Sequence, residues 1–141
     1  MIRTAPSTRH ARPVAALTAA LLAFASTSAL AQAAPDQAVI PQPQAISPAA
    51  GVFTIGPDTP VVAPPGDAEA SQAAARLVEL LSQTNGVSLT QQEGAAGPGV
   101  VFRRDPSLPA EGYRLQVSPD AAVISGADLG GLLYGAVTLW Q

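Results

Sequence analysis

Apolar residues are spaced in three ways along this chain. Near the amino terminus they run on unbroken. In two later stretches they recur every three to four residues, and in several short stretches every second residue. The helical spacing is clearest after Asp67, where Ala70, Ala74, Leu77, Val78 and Leu81 form one stripe. Glu69, Gln72, Arg76, Glu79 and Gln83 fall on the opposite side. The pattern predicts a helix from Ala68 to about Thr84, capped by Asp67, with Glu69 in its first turn and Asn85-Gly86 as its stop. A second helix follows Asp128, with Leu129, Leu132, Leu133, Ala136, Val137 and Trp140 on its stripe. Gly130, Gly131 and Gly135 each cost about 1 kcal/mol relative to alanine inside a helix, so they predict close packing of its backbone on a neighbour. Its pattern reaches Trp140-Gln141 with no stop signal.

The two-residue period predicts strands. Gly51 opens one at Val52–Ile55, with Phe53 and Ile55 on one face, and Gly56-Pro57-Asp58 turns the chain. Val61-Val62 is a second, closed by Pro64-Pro65-Gly66. Val87–Gln91 and Val100–Arg103 are separated by a glycine-rich loop. Tyr113, Leu115 and Val117 alternate with Arg114, Gln116 and Ser118, and Ser118-Pro119-Asp120 leads into Ala122–Ser125, which predicts a hairpin. The expected order is β-β-α-β-β-β-β-α. That order implies an α+β fold, a mixed or antiparallel sheet with two helices packed on one face.

The unbroken apolar run lies at Val14–Ala25 and is interrupted only by Thr18. Arg3, Arg9 and Arg12 precede it, and the triplets Ala29-Leu30-Ala31 and Ala31-Gln32-Ala33 follow, which is the three-part plan of a secretory signal peptide. The run is shorter than the roughly 20 residues of a membrane-spanning helix. We therefore expect residues 1–31 to be removed and the product to be periplasmic or secreted, free of the membrane. Residues 32–50, with Pro35, Pro41, Pro43 and Pro48, read as an extended lead-in. The pair Val39-Ile40 inside it is expected to pack on something. Residues 51–141 form the domain proper.

Processing changes the charge. Residues 32–141 hold Arg76, Arg103, Arg104 and Arg114 against ten acids, a formal balance of −6, which argues against nucleic acid as a partner. They contain no His, Cys or Lys. That inventory excludes a histidine-based triad, a thiol or Schiff-base nucleophile, a nitrogen or sulfur zinc site and a phosphate loop. We expect no cofactor and no metal. Asp67 with Glu69, Asp105 with Glu111, and Glu93 are the carboxylates available for glycosidic chemistry. Asp67 and Glu69 are better explained by helix capping, and the others as solvated acids. Arg103-Arg104 is the one basic cluster, able to grip a carboxylate or phosphate, or else a strand-end pair balanced by Asp105. Phe53, Phe102, Tyr113, Tyr134 and Trp140 sit at apolar-periodic positions and read as core, with Trp140 the exception. No catalytic, cofactor-binding or metal-binding residue is assigned.

Three stretches together resemble the N-terminal domain of bacterial β-N-acetylhexosaminidases of glycoside hydrolase family 20. They are Val39-Ile40-Pro41-Gln42-Pro43-Gln44 with Gly51-Val52-Phe53, Glu111 to Val117 with Val123-Ile124, and Gly131 to Gln141. The resemblance implies a non-catalytic sheet backed by two helices, followed in the family by a (β/α)₈ barrel. An adjacent Asp-Glu pair in that barrel acts with the substrate's own acetamido group. This chain has no adjacent Asp-Glu pair, so no catalytic residue carries over. The resemblance implies a barrel in the same or a split polypeptide as partner, the sequence here being cut short before it. The alternatives are a stand-alone exported module binding a glycan such as chitin or peptidoglycan, and the equivalent domain of another glycosidase family such as the α-glucuronidases.

Overall fold

A computed structural model describes residues 39–40 and 42–141. The expected signal peptide, its expected cleavage site and the first part of the lead-in lie outside the described residues. The elements are β1 (Pro60–Ala63), α1 (Ala68–Asn85), β2 (Thr90–Glu93), β3 (Gly99–Arg104), β4 (Tyr113–Val117), β5 (Ala121–Gly126) and α2 (Leu129–Trp140). The five strands form one sheet in the order β2-β1-β3-β5-β4. β1 is parallel to β2 and β3, β3 is parallel to β5, and β4 pairs antiparallel with β5. The expected α+β class and mixed sheet are thus observed, as is the β4–β5 hairpin. Its turn is closed by Ser118 N–H donating to Ala121 C=O at 2.9 Å.

Strand alternation explains where the core lies. Val61, Ala63, Val100, Phe102, Ala122 and Ile124 point to one face, and both helices cover it. From α1 come Ala70, Ala73, Ala74, Leu77 and Leu81; from α2 come Leu132 and Ala136. Small residues on α1 let it sit close to the sheet. The glycines of α2 do the same: a Cβ on Gly131 would lie 2.2 Å from the Gly112 carbonyl oxygen, and one on Gly135 would lie 2.6 Å from Ile124 Cγ2. No side chain fits at either position, so the predicted close approach is real there.

Two strands differ from expectation. Val52–Ile55 is not a strand, so the observed order has one strand fewer, β-α-β-β-β-β-α. Its alternation is nonetheless real: Phe53 and Ile55 pack on the core while Val52 is 80% exposed. Alternation reports which side of an extended segment is buried, and it says nothing of whether a ladder partner lies beside it. The strand expected at Val87–Gln91 is shifted to Thr90–Glu93. Gly86, at φ 67, ends α1 in the left-handed region, and the following Val87 N–H turns back to the Leu81 carbonyl at 3.3 Å. Val87 therefore belongs to the helix end, and Leu89 fills the core before pairing begins.

The lead-in is tied down through its backbone. Ile40 N–H donates to Gln141 Oε1 at 2.8 Å, and Gln141 Nε2 donates back to the Ile40 carbonyl. Val39 is half-buried, whereas the Ile40 side chain is exposed. Only part of the apolar pair packs, and the amide of Gln141 does the holding.

Candidate functional site

In parallel α/β sheets the natural ligand crevice lies at the carboxyl ends of the strands, where the strand order reverses. Here β1 has β2 on one side and β3 on the other, so that point lies between Ala63 and Arg104. The amino termini of both helices open at the same end of the sheet, and each is an anion site in its own right. The chain's own carboxylates occupy both.

Asp67 caps α1: its Oδ1 accepts from Ala70 N–H at 3.0 Å. Its Oδ2 accepts from Arg104 Nε, also at 3.0 Å. Arg104 further pairs with Glu69 and donates from Nη1 to the Ala127 carbonyl at 3.0 Å. One guanidinium thereby joins the end of β3, the start of α1 and the loop after β5. Burial pushes the Asp67 carboxyl up, but the Ala70 N–H and the Arg104 guanidinium outweigh it and hold it below the usual range. The Asp67 hydrogen bond in turn raises Arg104, against some desolvation.

Asp128 caps α2 in the same way. Its Oδ1 accepts from Gly131 N–H and its Oδ2 from Glu111 N–H, each at 2.9 Å. These two backbone donors, Glu111 first, lower its pKa. Glu111 itself stands at φ 59, the one described non-glycine residue with positive φ. That turn lets its N–H reach Asp128, and Ala127 N–H reaches the Gly112 carbonyl at 3.3 Å. Asp105 accepts from the Ser107 hydroxyl and N–H, which lower its pKa first, and from Arg114 Nη1 at 3.1 Å.

The carboxylates singled out from sequence therefore separate. Asp67 and Glu69 share Arg104, and Asp105 is held by Ser107 and Arg114. The Glu111 side chain lies exposed beside Gly130, and Glu93 lies exposed at the end of edge strand β2. Among the described residues no three His, Cys, Asp or Glu side chains gather as for a metal. The basic pair also separates, since neighbours on a strand face opposite sides. Arg104 joins Asp67, while Arg103 Nη2 donates to Ser125 Oγ at 3.3 Å on the helix-free face.

Phe53, Phe102 and Tyr113 are placed as expected for packing, whereas Tyr134 departs from that expectation. Phe102 is fully buried, Phe53 packs on the core, and the Tyr113 hydroxyl accepts from Thr138 Oγ1 at 2.9 Å. Tyr134 is exposed. Trp140 Nε1 donates to Thr84 Oγ1 at 2.8 Å, joining the ends of the two helices. A shallow open depression of about 430 Å³ lies there, lined by Thr84, Asn85, Trp140 and Gln141. The Trp140 N–H and the Gln141 amide are already engaged within the fold. Sequence reasoning missed three contacts: Arg104 to Ala127, Glu111 to Asp128, and Gln141 to Ile40. The first two lay behind recognisable residues, the paired arginines and a helix cap. No local pattern marks the third, which spans 101 residues.

Comparison with known proteins gives a consistent result. Residues 36–141 match the family model "Glycosyl hydrolase family 20, domain 2". No curated protein sequence matches the chain. Among solved structures, an inactive mutant of the GH20 exo β-N-acetylglucosaminidase from Vibrio harveyi superposes with a TM-score of 0.63 at 25% identity. The match covers 72% of this chain and 15% of that one. The GH20 β-N-acetylhexosaminidase from Streptomyces coelicolor A3(2) gives 0.64 at 26% identity, covering 72% and 20%. The β-N-acetylhexosaminidase from Bacteroides fragilis NCTC 9343 shares the fold, at 0.51 and 21% identity. The chain thus matches only 15–20% of the length of these solved structures.

Proposed function

The chain belongs to glycosyl hydrolase family 20, as domain 2 over residues 36–141, and from that membership we propose that it is the non-catalytic companion of a catalytic part with β-N-acetylhexosaminidase activity. The observation that carries this reading is the span of the match, which runs through every strand and both helices. Hydrolysis of the glycosidic bond falls to the catalytic barrel, in the same or a split polypeptide. These residues supply a structural unit beside it.

Two features support that division. The crevice at the strand ends, where a ligand would sit in a related sheet, is filled by Asp67, Glu69 and Arg104. The Asp128 carboxylate is likewise spent on α2 and the Glu111 loop. The signal-peptide plan of residues 1–31 supports a periplasmic or secreted setting, where polymeric amino sugars are met outside the cytoplasm.

The test is turnover of an aryl N-acetylglucosaminide by the purified chain. We expect none above the buffer rate. Turnover that survives repurification overturns the non-catalytic assignment. For the partner, the neighbouring coding DNA is expected to encode a barrel with an adjacent Asp-Glu pair, and unrelated sequence there counts against it.

A further inference from the structure

The two helices differ in their outer faces. α1 turns Arg76, Glu79 and Gln83 to solvent, with Arg76 and Glu79 paired at 2.6 Å. α2 carries no charged side chain in its 12 residues. One apolar stripe is enough to hold a helix on a sheet, whereas a helix that is apolar all round is one that is buried all round. In α2, Leu132, Ala136 and Leu139 pack on the core. Helical geometry then puts Leu133, Tyr134 and Val137 on the side away from the sheet. Tyr134 is 40% exposed there, and Leu133 and Val137 are only half-buried.

This patch has a definite outline. Val117, 46% exposed, extends it from edge strand β4, which α2 packs against. On the other flank, Leu133 shares a shallow groove of about 390 Å³ with Gln72, Ala75, Arg76 and Glu79 of α1. An apolar centre inside a polar rim is the plan of a protein–protein contact. The opposite face of the sheet is built differently. Val62 and Val101 are buried there, while Gln92, Arg103, Arg114 and Gln116 stand exposed.

We propose that the outer face of α2, centred on Tyr134 and Val137, docks on the catalytic part of a family 20 hydrolase. Leucine, valine and one phenol ring offer apolar area and a single hydroxyl, which suits the packed surface of a folded protein. The size of the match says which protein. The chain spans 15–20% of the solved family 20 hydrolases it resembles, so most of each of those proteins lies beyond this domain. The choice of occupant rests on the hydrolase reading above. The choice of surface, α2 and not the helix-free face of the sheet, follows from the residues themselves.

The test uses the absence of cysteine from the chain. Tyr134→Cys, Val137→Cys and Gln116→Cys each introduce a single thiol, and Gln116, exposed on the helix-free face, is the control. Maleimide labelling of each variant is timed on the purified chain, and again with the catalytic part that the neighbouring DNA encodes, separate or joined as encoded. Mass spectrometry reads the labelled peptide. Labelling at Tyr134 and Val137 is expected to slow about tenfold or more in the presence of the catalytic part, and at Gln116 to stay within about twofold, because water is excluded only from the core of a contact. Tyr134 is a surface position, so its variant should fold even where Val137→Cys does not. Binding of the catalytic part with unchanged labelling at Tyr134 and Val137, or with slowing at Gln116 instead, overturns the surface and leaves the hydrolase reading standing. Slowing that develops in the isolated chain as its concentration rises makes a second copy the occupant and overturns the proposal. Neighbouring DNA without a barrel, or a barrel that does not bind the unsubstituted chain, overturns the hydrolase reading and the surface together.

Discussion

Arg104 on β3 donates from Nε to the capping carboxylate of Asp67, 3.0 Å away and 37 residues earlier in the chain. The same carboxylate holds the first turn of α1 through Ala70. A local capping interaction and a long-range ion pair therefore share one side chain. Asp67→Ala removes both and is expected to cost about 1–2 kcal/mol, near the top of the range for a lost cap. Asp67→Asn keeps the cap acceptor and should lose only the part due to Arg104. Urea unfolding of the two variants separates the contributions.

The acid side of the stability profile follows from the same groups. Asp67, Asp105 and Asp128 all have carboxyls held below the usual range, by the N–H, hydroxyl and guanidinium partners named above. A depressed folded value means the unfolded chain binds protons more readily. The linked stability is then complete above the unfolded carboxylate value of about 4 and drains away as pH falls through the lowered folded values. Residues 39–141 contain no histidine to add a slope near neutrality. The unfolding temperature should be flat from about pH 7 to 5 and fall steeply below about pH 4. Asp67→Asn with Asp128→Asn should flatten that fall, as read by circular dichroism across the pH series.

Adjacent glycines of α2 should respond oppositely to alanine. At Gly131 the new Cβ would meet the rigid Gly112 backbone oxygen at 2.2 Å. At Gly130 it would meet the flexible Glu111 Cγ at 3.1 Å, which can move aside. Gly131→Ala is expected to cost about 1–3 kcal/mol or more from overpacking. Gly130→Ala should be neutral or gain up to about 1 kcal/mol from helix propensity. Thermal unfolding of the pair decides it, and equal effects would contradict the packing described.

Leu77 is fully buried between α1 and the sheet, whereas Val52 is largely exposed. Leu77→Ala should cost about 2–5 kcal/mol as a buried cavity, while Val52→Ala should stay within about 0.5 kcal/mol. Denaturant midpoints measure both.

Gln141 holds the lead-in through a two-point amide contact with the Ile40 backbone. Gln141→Ala should abolish hydrogen-exchange protection at the Ile40 amide while leaving the β3 and β5 amides protected. Unchanged exchange at Ile40 would show that the contact does not hold the segment.

Much of this architecture was legible in local pattern. The caps Asp67 and Asp128, the stop at Gly86, the alternation of β4 and the hairpin after it all act within a few residues. Short-range sterics and hydrogen bonding therefore sufficed to place them. The period also marked Phe53 and Ile55 as buried, and the glycines of α2 as sites of close approach. Tertiary structure decided the rest. Whether Val52–Ile55 joined a ladder depended on a neighbour that no spacing encodes. The parallel pairing of β1 with β3, 39 residues on, set β3 and its two arginines in the middle of the sheet. Alternation says that they face opposite ways, but only the packing of both helices on one side sends Arg104 into an ion pair with Asp67 and leaves Arg103 beside Ser125 on the other face. Those outcomes rest on contacts between distant residues, and the chain carries their chemistry without their addresses.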